Sequence, residues 1–223
     1  MDHISAALKD QDTLKQIPEN MQSSGQESAS FHPTNSDPYN VAANIKKIMA
    51  ARGVPLGFID CALNRPENYD ASRGYFLTGP VGVGKTHTAV AMMREAIIRN
   101  SNAYRIADIV RGIYDARFFP VTSLLMRIKD SFQSDPIESE GEIISQVTSP
   151  SLVVLDDIGA EKVSEWTLQT LYTIIDTRSR EQRPMIITSN LSLDGIAAKL
   201  SDRISSRIRG MCETKPLAGK DRR

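Results

Sequence analysis

From about Tyr39 onward, short apolar runs alternate with stretches whose apolar residues recur every three or four positions. Apolar runs of roughly four to eight residues bounded by Gly, Pro or polar positions are the pattern of buried strands, and the longer recurrence is that of helices with one apolar face. Strands are therefore predicted at Gly74–Thr78, Phe118–Thr122, Leu152–Asp156 and Met185–Ser189. Helices are predicted from about Lys85 to Arg99, from the second strand to Phe132, from Ser164 to Arg180, and as two short segments ending at Arg209. Such alternation implies repeated βα units, that is, an α/β fold with a mostly parallel sheet flanked by helices. Ile106, Ile109, Val110, Ile113 and Tyr114 also repeat at helical spacing, which predicts an extra helix over Tyr104–Arg117 between the first two units.

The alternation is missing from residues 1–40. Ser, Gln, Asn and Asp are frequent there, six acids face two lysines, and large apolar groups are sparse. A segment of that kind cannot bury enough surface to offset its ordering entropy. The chain therefore divides into a polar, disordered segment over 1–40 and one folded domain over 41–223, opening at Val41, Ile45, Ile48 and Met49. Ile4, Leu8 and Ile17 leave room for one short helix, read either as a frayed tail or as a partner-binding element. At roughly 150 residues per domain, 223 residues fit that division.

No apolar stretch approaches the roughly 20 residues that cross a bilayer, and the opening MDHISAALKD lacks the charged-then-apolar signal pattern. Cys61 and Cys212 are too few and too far apart for a disulfide scaffold or a zinc cluster, which points to a cytoplasmic protein without a membrane partner. With 27 basic and 27 acidic residues the net charge is zero. That excludes a polycationic nucleic-acid coat and leaves only a local basic face. Such a face lies between Arg203 and Arg223, where seven basic residues meet two acids.

Candidate chemistry begins at Gly79-Pro80-Val81-Gly82-Val83-Gly84-Lys85-Thr86, with His87 following. The spacing is that of a loop whose backbone N–H groups cradle a polyphosphate between a strand and a helix N-terminus. Glycines let the main chain curl around the phosphates, Lys85 reaches the β and γ phosphates, and the Thr86 hydroxyl ligates Mg²⁺. Binding alone would need no more, but hydrolysis of ATP needs an acidic element. Leu152-Val-Val-Leu-Asp-Asp157 ends a predicted strand in two carboxylates. Neighbouring strand side chains point to opposite faces, so the two acids divide the work: Asp156 positions Mg²⁺ and Asp157 orients or deprotonates the attacking water. In a parallel sheet the strand of Met185-Ile-Ile-Thr-Ser-Asn190 ends at the same edge, where Asn190 can hold that water; the competing reading makes Ser189-Asn190 a helix cap. Arg203 and Arg207, four apart, share one helix face, either as solvated surface or as a positive charge for the ATP of a neighbouring subunit.

In this order, GPVGVGKTH, LVVLDDIGAEKVSEW, IITSN, DRISSRI and the closing GKDRR resemble the DnaC/IstB branch of the AAA+ ATPases over roughly residues 41–223. The resemblance implies an AAA+ P-loop core with a minimal C-terminal helical lid, acting as an oligomer with ATP between subunits. It makes Lys85 and Thr86 the Walker A pair, Asp156 and Asp157 Walker B, Asn190 sensor 1, Arg207 the arginine finger supported by Arg203, and Arg223 the sensor 2 arginine. It also implies that Phe132, Ser164 and Trp166 face single-stranded DNA, a role that suits aromatic rings because bases stack on them without sequence preference. Arg127 and Lys129, on the same predicted helix as Phe132, are placed to meet phosphates. The implied activity is that of an ATP-hydrolysing helicase loader in DNA replication, with a hexameric replicative helicase as partner. The alternatives are a transposition helper that binds duplex DNA and a transposase, and an adaptor that binds nucleotide without hydrolysing it. Asp157 stands where many ATPases have glutamate, and its shorter reach implies slow, switch-like turnover.

Overall fold

The computed structural model of the protein describes residues 41–65, 68–102, 114–133 and 135–219. Segment 1–40, most of the helix predicted over Tyr104–Arg117, and Arg223 lie outside these residues.

Five strands form one parallel sheet: β1 (Gly74–Thr78), β2 (Ala116–Pro120), β3 (Leu152–Asp156), β4 (Met185–Ser189) and β5 (Cys212–Pro216), in the order β2-β3-β4-β1-β5. Seven α-helices accompany them among the described residues: α1 (Val41–Ala51), α2 (Lys85–Asn102), α3 (Val121–Asp130), α4 (Glu140–Thr148), α5 (Glu165–Arg180), α6 (Leu193–Lys199) and α7 (Asp202–Met211), with one 3-10 turn at Leu56–Phe58. Strand alternation splits the core in two. Tyr75, Leu77, Phe118, Leu152, Val154 and Ile186 face α1 and α2, with Ile45, Met49, Met93 and Ile97 against them. Phe76, Val153, Leu155, Met185 and Ile187 face the other way, toward α3 to α7, which contribute Leu124, Ile128, Ile174, Ile196, Ile204 and Ile208.

Several boundaries differ from the sequence expectation. The second strand spans Ala116–Pro120, because Pro120 ends it and Val121 opens α3. Ala116 and Arg117 thus belong to β2 and not to the extra helix. Helix α3 stops at Asp130, which leaves Phe132 in the following turn instead of on the helix. Neither α4 nor β5 was expected. Helix α4 is closed at its start by a capping box in which Ser139 and Glu142 bond each other's backbone N–H. The C-terminal helical part is small: α6 and α7 pack on the same sheet face as α5, and the chain then returns as β5 beside β1. Among the described residues no helix is long and apolar enough to cross a membrane.

Beneath the sheet, the fully buried Arg178 of α5 binds main chain only. Its guanidinium donates to the carbonyls of Val147, Thr148, Pro150 and Pro184 at 2.7–3.1 Å, joining the end of α4 to the approaches of β3 and β4. Burial pulls its pKa down to about 10, so it stays charged at neutral pH. The two strands that carry the site residues are thereby tied at their starts.

Candidate nucleotide-binding site

The loop between β1 and α2 turns on Gly79, Gly82 and Gly84, whose φ values of 151°, 81° and 97° lie where side chains are rarely accommodated. Gly79 is further constrained, since a Cβ there would fall 2.1 Å from the carbonyl oxygen of Leu217, just beyond β5. Leu217 also donates its N–H to Thr78 O at 2.6 Å, so the C-terminal strand extends onto the base of the loop. Val83 is buried under the loop, whereas Pro80, Val81 and His87 are exposed.

Lys85, only 8% exposed, sends its ammonium to the carbonyls of Gly79 and Pro80 at 2.8 and 2.7 Å and to Asn190 Oδ1 at 2.6 Å. Asn190 in turn donates through Nδ2 to Asp157 Oδ1 at 3.0 Å. One residue past Lys85, the Thr86 hydroxyl donates to Asp156 Oδ1 at 3.0 Å. Five residues expected to share a site from three separate stretches of sequence thus come together at the C-terminal edge of the sheet, as a hydrogen-bonded trio and a hydrogen-bonded pair joined by the chain itself at Lys85–Thr86 and Asp156–Asp157. Ser192, not Asn190, caps α6 by accepting from Gly195 N–H, so the helix-cap reading of Asn190 falls and its amide serves the trio.

Burial raises the Asp156 carboxyl above its ordinary 3.8, the hydroxyls of Thr188 and Thr86 pull it back, and the nearby Asp157 charge adds to the rise. Asp157 itself adopts φ 61°, uncommon for a residue with a side chain. Thr188, which the sequence pattern does not single out, donates to Asp156 Oδ1 at 2.7 Å and accepts from Asp157 N–H at 2.8 Å. Strand register brings it there: Leu155 pairs with Ile187, so Asp156 and Thr188 come next. Asp156, by its carboxylate, and Thr86, by its hydroxyl, offer the oxygen donors that a hard divalent cation takes.

Of the three residues expected to face DNA, Phe132 and Trp166 meet. Phe132 stands edge-on to Trp166, with ring centroids 6.0 Å apart and planes at 80°, and the Lys129 ammonium lies 5.1 Å from the Trp166 centroid. Phe132 is 56% exposed, while Trp166 packs partly on the core. Ser164 caps α5, its oxygen accepting from Thr167 N–H at 3.1 Å. Arg127 does not join this patch, because Glu138 and Gln146 engage its guanidinium. On α7, Arg207 pairs with Asp176 of α5 at 2.8 Å, and Arg203 lies 5.9 Å from the Tyr172 ring centroid. Both arginines are exposed, and a hydrogen bond to Tyr172 followed by the Asp176 charge raises the Arg207 pKa.

The replicative helicase loader DnaC of Escherichia coli (strain K12) is 25% identical over 144 residues, covering 64% of this chain and 53% of that protein. An ATP-binding protein in an insertion sequence of Mycobacterium tuberculosis is 31% identical over 121 residues, covering 54% and 42%. The chain thus spans about half the length of the curated relatives it matches. A crystal structure of the DnaC helicase loader superposes with a TM-score of 0.53 at 24% identity, covering 85% of this chain and 95% of that one, and the shared fold is that of AAA+ ATPase domains. A profile of IstB-like ATP binding proteins matches residues 68–208, well over half of the sequence, and the chain therefore belongs to that family.

Proposed function

We propose that this chain binds and slowly hydrolyses ATP as a switch that loads a hexameric replicative helicase, and that it holds single-stranded DNA on the Phe132–Trp166 patch. The observation that carries the reading is the meeting of Lys85, Thr86, Asp156, Asp157 and Asn190 at the C-terminal edge of the sheet. In this reading the loop over Gly79–Gly84 wraps the phosphates with backbone N–H groups, and Lys85 leaves its own loop carbonyls for the β and γ phosphates. Thr86 and Asp156 hold Mg²⁺, which when bound neutralises developing charge on the phosphates. Asn190 and Asp157, already bonded to each other, hold the attacking water, and Asp157 takes its proton.

Self-association completes the site. The exposed Arg207 turns from Asp176 toward the ATP of a neighbouring subunit, with Arg203 beside it. Arg223, four residues beyond Gly219, is assigned to the ATP bound by its own subunit. We assign residues 41–223 to this ATPase domain and residues 1–40 to a separate segment.

A second reading is favoured by the family match and the insertion-sequence relative: a transposition helper that binds duplex DNA and a transposase. Phosphate release by the full chain, measured with no DNA, single-stranded DNA and duplex DNA, separates the two. The loader reading expects Mg²⁺-dependent turnover raised by single strands. It expects that stimulation to be lost in Trp166→Ala with nucleotide affinity unchanged, since one stacking contact is worth about 1–3 kcal/mol. Stimulation by duplex alone would favour the transposition helper, and no release above background would favour a non-hydrolysing adaptor.

A further inference from the structure

Thr188 lies in β4 with 1% of its surface exposed. Its hydroxyl serves two neighbours in opposite senses: the hydrogen goes to Asp156 Oδ1 at 2.7 Å, and the oxygen accepts Asp157 N–H at 2.8 Å. A hydroxyl has one hydrogen. With the Asp157 N–H aimed at its oxygen, that hydrogen has the Asp156 carboxylate to satisfy, so the two bonds fix each other. The carboxylate is then gripped from the strand side by Thr188 and from the helix side by Thr86. The accepted N–H also secures the left-handed turn at Asp157, φ 61°, from which that side chain meets Asn190. The backbone repeats the tie, with Ile158 N–H donating to Thr188 O at 2.9 Å. Packing alone asks for no hydroxyl here. Ile186, two residues earlier on the same strand face, is wholly apolar, and an unneeded buried hydroxyl would be a cost.

We propose that Thr188 is a positioning residue for ATP hydrolysis, setting through one hydroxyl both the carboxylate of Asp156 and the backbone turn that presents Asp157. The proposal rests on the hydrolytic reading above. Its test compares kcat, KM for ATP and the Mg²⁺ dependence of the full chain with those of Thr188→Val and Thr188→Ser. Valine keeps the volume and removes both bonds, while serine keeps both bonds and removes a methyl group. The valine variant is expected to lose about 10- to 100-fold in kcat, the usual effect of removing a partner that orients a metal ligand, and to need more Mg²⁺. Its KM for ATP should stay within about twofold, because the phosphate-wrapping backbone is untouched. Serine should restore most of the rate. Should Thr188→Val fail to fold, Thr188→Cys takes its place with the same expectation, a thiol being a weak donor and acceptor. Wild-type kcat in the valine variant would overturn the proposal, as would equal losses in valine and serine. Absence of turnover in the wild type would instead overturn the hydrolytic reading itself.

Discussion

Asp156 is held above its ordinary 3.8 chiefly by burial, although two hydroxyls donate to it. A raised pKa means that the folded chain binds this proton more tightly than the unfolded chain does. Stability from this group is therefore full below about pH 3.8 and falls as pH rises through the folded value. At neutral pH the carboxylate is a liability to the fold that a metal-binding function would justify. Asp156→Asn should accordingly raise the melting temperature of the nucleotide-free protein at pH 7 and remove Mg²⁺-dependent turnover, by the trade between stability and activity seen at such sites. Thermal melting by circular dichroism checks it, and a lower melting temperature in the variant would contradict the account. That Thr86 would meet Asp156 was legible, because a glycine-rich loop after one parallel strand and an acidic pair ending another fall at the same edge of a sheet. Thr188 was not, because its partners come from the register of two strands more than thirty residues apart in sequence. Arg127 misled for a similar reason: its distant partners Glu138 and Gln146 engage a guanidinium that helix position alone assigns to phosphates.

The elements that sequence pattern reveals are those with a continuous apolar face. Strands β1, β3 and β4 are buried along nearly their whole length and match the expected limits, whereas β5 reads Cys-Glu-Thr-Lys-Pro and buries only Cys212 fully. It is an edge strand, and charged side chains there discourage pairing with another chain while erasing the apolar signal. Yet β5 constrains the phosphate loop, since Leu217 O occupies the space a side chain at Gly79 would need. Gly84 makes the useful contrast, with φ 97° but nothing within 4 Å of where a Cβ would sit. Alanine at either position strains the backbone, by about 1–3 kcal/mol. At Gly79 it must also lift the chain after β5 and break the Leu217–Thr78 bond. Gly79→Ala should therefore destabilise the protein more than Gly84→Ala in urea titrations, and the reverse order would show that β5 does not clamp the loop.

At the scale of the assembly, the question is which molecule Arg207 serves. Within its own chain it is bonded to Asp176, and Asp176 is also paired with Arg180 at 3.0 Å. Removing Arg207 thus leaves the largely buried carboxylate with a cation, so Arg207→Ala should fold and melt close to wild type. If the arginine acts only on its own chain, the defect of the variant cannot be repaired by other subunits. If it acts on a neighbour's ATP, repair is possible, because head-to-tail assembly joins the nucleotide site of one subunit to the arginine of the next. Arg207→Ala retains a nucleotide site and Lys85→Ala retains an arginine, so mixing two variants that are each inactive should restore hydrolysis. Random assembly of equal amounts pairs the two intact halves at roughly a quarter of interfaces, which sets the expected recovery near that share of the wild-type rate. Recovery should rise with protein concentration and vanish on dilution. A mixture that stays at background, at concentrations where the wild type is active, would return Arg207 to the role of a surface cation holding α7 to α5.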